Sequence, residues 1–102
     1  MNQSKYFYTD YAVHSLRFYA RYPNIEIFKT DVDKINWNTA RDVIQSMDKK
    51  ERDIILSLFE IKDIHIADAV TEVCEKYRIP VKEVRRLKEK CTLDFAKKRG
   101  LI

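Results

Sequence analysis

A chain of 102 residues allows one compact domain and excludes a second independent core. With 45% apolar and 35% charged residues, one glycine and two prolines, it is neither disordered nor collagen-like, and scarce glycine leaves few of the tight turns an all-β fold needs. The net charge of +4 is unevenly placed: nine basic residues balance nine acidic ones from Met1 to Glu60, whereas ten oppose three from Lys76 to Ile102, about +7 in one C-terminal segment.

Thr9 and Asp10 suit the cap of a first helix that runs to about Tyr22, where Pro23 and Asn24 stop it. Asp10, His14, Arg17 and Arg21 form one polar stripe. Tyr11, Ala12, Val13, Leu16, Phe18, Tyr19 and Ala20 leave an apolar face wider than a surface helix uses, to be covered by the rest of the domain, by a partner or by a second copy. Ile25 to Lys29 has no partner strand and reads as loop. A second helix is expected to start near Asn36 to Thr39, with Asn38 or Thr39 as cap, to carry Ala40, Val43, Ile44 and Met47 inward, and to end near Ser46 or Met47.

Asp48 caps a third helix, with Glu51 three positions behind it and Ile54, Ile55, Leu58, Phe59 and Ile61 on its apolar side. After a break at Lys62 to Ile64, a fourth helix is expected from about His65 to Tyr77, on the spacing of Ile66, Ala69, Val70, Val73, Cys74 and Tyr77. Pro80 forces a turn at Arg78 and Ile79, and a last helix runs from about Val81 to Arg99, with Gly100 just past its end. Lys97, Lys98 and Arg99 suit the negative end of its dipole. The expected fold is all-α, a compact domain of four to five helices with a C-terminal helix-turn-helix. Residues 1–36 would form an aromatic-rich helix and loop packed on residues 37–102.

A helix-turn-helix needs a small residue where its helices cross, an apolar residue in the turn, and apolar residues three and four apart to lock the second helix. Cys74, Ile79, Val84 and Leu87 fill these positions, with Val73 and Tyr77 flanking inward. Lys82, Glu83, Arg85, Arg86 and Glu89 then face outward, and Arg is the best bidentate reader of guanine. Arg78 occupies the turn position where glycine is usual, a departure from the pattern, because a left-handed backbone costs Arg what it does not cost glycine.

DKKERDIILSLFE followed by KYRIPVKEVRRLKEKCTLDFAKKRGL resembles region 4 of sigma-70 family factors, the helical domain that reads the upstream promoter element. NTARDVIQSM ahead of it resembles the helix entering that domain, and the resemblance covers about Trp37 to Leu101. Small stand-alone regulators of Gram-positive phages and mobile elements are similar. The resemblance implies base contacts from Lys82, Arg85, Arg86 and Glu89, and phosphate contacts from Arg78 and Lys90. Lys76, Lys97, Lys98 and Arg99 extend the basic phosphate-facing set. Met1 to Asn36 has no room for the domain with which full-length factors melt the promoter and bind core polymerase. The function implied is an accessory activator or other sequence-specific regulator bound to double-stranded DNA.

The rival reading is a helical module that binds a host protein such as RNA polymerase without reading DNA, or that forms a homodimer, through the aromatic and Arg-rich start of the chain. Catalysis finds no motif: His14 and His65 stand apart, and Asp31 and Asp33 lack the rest of a calcium loop. No cofactor or metal is expected. Cys74 and Cys91 are not spaced as zinc ligands, and no secretory segment or long apolar run is present, so a cytoplasmic protein is expected.

Overall fold

The computed structural model describes residues 3–61 and 66–102, and among these it is all-helical. Helix α1 spans Gln3–Arg21, α2 Asp31–Gln45, α3 Lys49–Glu60, α4 Ile66–Tyr77 and α5 Val81–Arg99. Helix α1 packs against α2, α3 and α5, while α4 packs against α3 and α5. One continuous core joins all five, running from Ala12 and Leu16 through Ile44, Leu58 and Phe59 to Val73, Leu87 and Phe95. The boundary expected between residues 36 and 37 falls inside α2.

Much of the apolar face of α1 is covered by the chain itself. Ala12, Leu16, Tyr19 and Ala20 are buried, and Tyr11, Val13 and Phe18 pack against the same core. Tyr19 meets Trp37 edge-on at 5.2 Å between ring centroids, and Phe28 meets the same ring at 5.6 Å. Trp37 donates its indole proton to the Tyr22 carbonyl at 2.9 Å, which fixes the chain just past the end of α1. Of the coverings expected for this face, the rest of the domain supplies that of Ala12, Leu16, Tyr19 and Ala20.

Two expected helix starts are corrected. Helix α1 runs straight through Thr9 and Asp10 from Gln3, since the preceding residues contain no glycine or proline to stop it. Helix α2 starts at Asp31, five residues before the expected window, because Thr30 caps it: its side chain accepts from the Asp33 amide at 3.0 Å, with Asp31 and Asp33 at the positive end of the dipole. Val32 and Ile35 are 50% and 46% exposed, so these first turns carry no inward apolar row to announce them. The break expected at Lys62 to Ile64 and the helix start at His65 lie outside the described residues. The cap of α3 is as expected, Asp48 Oδ1 accepting from the Glu51 amide at 2.9 Å.

Candidate nucleic-acid interface

Helices α4 and α5 are joined by Arg78, Ile79 and Pro80. Arg78 has φ +54°, the one left-handed non-glycine residue among those described. The Ile79 amide donates to the Cys74 carbonyl at 3.2 Å, the six-to-one bond of a Schellman closure, and Ile79 and Cys74 both pack against the core. The end of α5 closes the same way on Gly100, at φ 81°, with Leu101 donating to the Ala96 carbonyl at 2.8 Å. Arginine therefore stands in the conformation for which glycine is the usual residue, at a cost of about 1 kcal/mol.

The inward positions are filled as the spacing predicts. Val73, Val84 and Leu87 are buried, and Cys74, Tyr77 and Ile79 are half-buried against them. The Tyr77 hydroxyl pairs with Ser57 Oγ at 2.7 Å and reaches the Asp53 carbonyl at 3.3 Å, fastening the end of α4 to α3. Pro80 opens α5 as a cap with no side-chain acceptor, so the first turn of α5 begins bare of any carboxylate cap.

Lys82, Arg85, Arg86 and Glu89 are all exposed and border one shallow depression with Pro80, Val81 and Glu83. They differ in how free they are. Arg86 donates from Nε to Glu83 Oε2 at 3.2 Å and from Nη2 to Glu83 Oε1 at 2.6 Å. That hydrogen bond lowers the pKa of the Glu83 carboxyl and raises that of the Arg86 guanidinium. Glu51, from the first turn of α3, stands 3.7 Å from Arg86 Nη2 and 3.9 Å from Lys90 Nζ. Glu83 and Glu51 thus border the same cluster, although in the sequence they stand only as an outward residue of α5 and the third residue behind the cap of α3. Val81, 40% exposed beside Lys82, adds an apolar surface to the depression.

The expected phosphate-contacting residues do not form one set. Steps of three and four place Arg86, Lys90 and Lys97 on the stripe that also holds Lys82 and the exposed Leu93. Lys98 instead continues the row of Leu87 and Cys91, past the end of the packed face. Lys97 lies about 22 Å along the axis from Lys82. Arg99 is half-buried, with Nε donating to Asn36 Oδ1 at 2.8 Å. Lys76 sits 5.4 Å over the Tyr77 ring and shares a depression with Glu60, Glu72 and Glu75. Arg78 is exposed at the turn itself.

No family model, curated protein or solved structure matches the chain. Among the described residues no helix is long and apolar enough to cross a membrane.

Proposed function

We propose that the chain is a sequence-specific DNA-binding transcriptional regulator that lays the first turns of α5 in the major groove. The observation that carries the reading is the closure at Arg78. A left-handed residue at the end of α4 sets α5 so that Val84 and Leu87 lock inward while Lys82, Arg85, Arg86 and Glu89 stay outside. Lys82 and Arg85 reach base edges directly, Arg86 does so from its ion pair, and Arg78 meets a phosphate at the groove edge. The surplus of basic residues after Lys76 supplies the salt-dependent part of the affinity.

The test is a fluorescence-anisotropy titration against duplexes from the genomic surroundings of the coding sequence, with random duplex as competitor. The expected result is preference for one duplex and affinity that falls steeply with salt. Equal binding of all duplexes at low salt overturns sequence reading.

A further inference from the structure

Arg86 is the base-reading candidate whose side chain is already held. A guanidinium carries five donor protons in one plane, and Glu83 takes the Nε proton and one proton of Nη2 as a two-point grip. Among the described residues the edge formed by Nη1 and the second Nη2 proton makes no hydrogen bond within 3.5 Å, and Glu51 Oε2 stands 3.7 Å from Nη2 beside it. Arg86 is 54% exposed, so a ligand can approach that edge. Glu51 backs the grip from a different helix: at 22% exposure it is the most enclosed carboxylate of the group, and it stands between Arg86 and Lys90.

Resting on the reading of α5 as the base-reading helix, we propose that Glu83 and Glu51 are positioning residues that preset Arg86 to read guanine. Glu83 holds the Nε–Nη2 edge, and the opposite Nη1–Nη2 edge donates to guanine O6 and N7 in the major groove. A free arginine must be ordered when it binds, whereas a gripped one has lost most of those rotamers beforehand. The same two carboxylates repel the phosphate backbone and lower affinity for DNA of any sequence. Discrimination and general affinity are therefore set in opposite directions by the same side chains. A residue that only stabilised the fold would not separate the two.

The experiment starts with selection by the full chain from duplexes with a randomised core. A guanine whose selection disappears in Arg86→Ala marks the base that Arg86 reads. In Glu83→Gln, the preference for that guanine over adenine is expected to fall roughly threefold to tenfold, the cost of ordering one long side chain, while random duplex binds as tightly or more tightly. Glu51→Gln, which removes the more distant carboxylate, should move both quantities the same way by less. Circular dichroism checks that each variant is folded, and both side chains are partly exposed. If Arg86→Ala abolishes a guanine preference that Glu83→Gln keeps in full, the positioning role is overturned and DNA reading stands. A selection that returns no preferred base overturns DNA reading, and this inference with it.

Discussion

Arg99 donates its Nε proton to Asn36 Oδ1 at 2.8 Å, joining the last turn of α5 to the second turn of α2. Asn36 is held in turn by the Tyr11 hydroxyl, which accepts from Nδ2 at 2.9 Å, so three helices meet at one amide. A basic residue at the end of a basic helix is here part of the framework. Lys97, two residues earlier, is exposed on the outward stripe.

The two residues should separate cleanly by substitution. Arg99→Ala removes a charge-assisted hydrogen bond and is expected to cost about 1.5–3 kcal/mol of stability in urea unfolding, with little change in duplex affinity of the folded fraction. Lys97→Ala should leave stability within about 0.5 kcal/mol and weaken DNA binding evenly across sequences, by less than the loss of a cation on the first turns of α5. Loss of affinity without loss of stability in Arg99→Ala would reverse the assignment.

Replacing Arg78 by glycine tests whether the left-handed residue is kept for a contact. At φ +54° glycine carries no side-chain penalty, so Arg78→Gly should raise stability by about 0.5–1 kcal/mol, less the extra entropy of the unfolded chain. The same variant loses one phosphate-facing cation, and the salt dependence of DNA binding should become shallower by about one ion. A gain in stability with unchanged DNA binding would mean that Arg78 has no part in the interface.

Cys91 is fully buried on the locked face of α5, and burial pushes its thiol up to about 12, with Asp94 adding to the rise. In the unfolded chain the thiol ionises near its ordinary 9.0. Between those values the unfolded state has lost a proton that the folded state keeps, so stability falls as pH rises, by at most about 1.4 kcal/mol per unit. Cys91→Ala should remove that part of the alkaline slope, at the cost of a lower stability at neutral pH. Thiol titration of the native protein near pH 8 should find Cys91 unreactive, and denaturant should expose it.

How far the sequence could be read follows from what each signal depends on. The inward rows of α3, α4 and α5 were legible because burial at steps of three and four leaves its mark on residue type: Ile54, Leu58, Val73, Val84 and Leu87 all lie where the spacing puts them. The start of α2 was not, because Val32 and Ile35 face solvent and the one local sign, Thr30 ahead of Asp33, is a single hydrogen bond. Arg78 was identified as the residue in a glycine position, and its positive φ agrees with that placement. Glu83, three residues before Arg86 on one helix, stands at a spacing the sequence shows, but the approach of Glu51 is hidden for a different reason. Glu51 and Arg86 belong to separate helices, and the packing of α3 against α5 decides that they meet. Basic residues counted along the chain look alike, yet Arg86 and Arg99 each have a protein partner.

Arg17 and Arg21 converge on a single acceptor, and their energetics should be strongly non-additive. Each donates from Nη2 to the Ile61 carbonyl just past the end of α3, at 2.6 and 3.0 Å, and the Nε of each is buried without a hydrogen bond among the described residues. Burial lowers the Arg17 pKa, and the Arg21 charge lowers it further. Replacing either by methionine keeps aliphatic bulk, leaves the other guanidinium on the carbonyl and relieves the repulsion between the two. Single variants should therefore lose under about 1 kcal/mol. The double variant removes both side-chain donors from the carbonyl at the negative end of α3 and should lose about 1–3 kcal/mol more than the singles sum to. A double-mutant cycle in urea measures the coupling directly, and additive losses would mean that the two arginines hold α1 to α3 by packing of their stems alone.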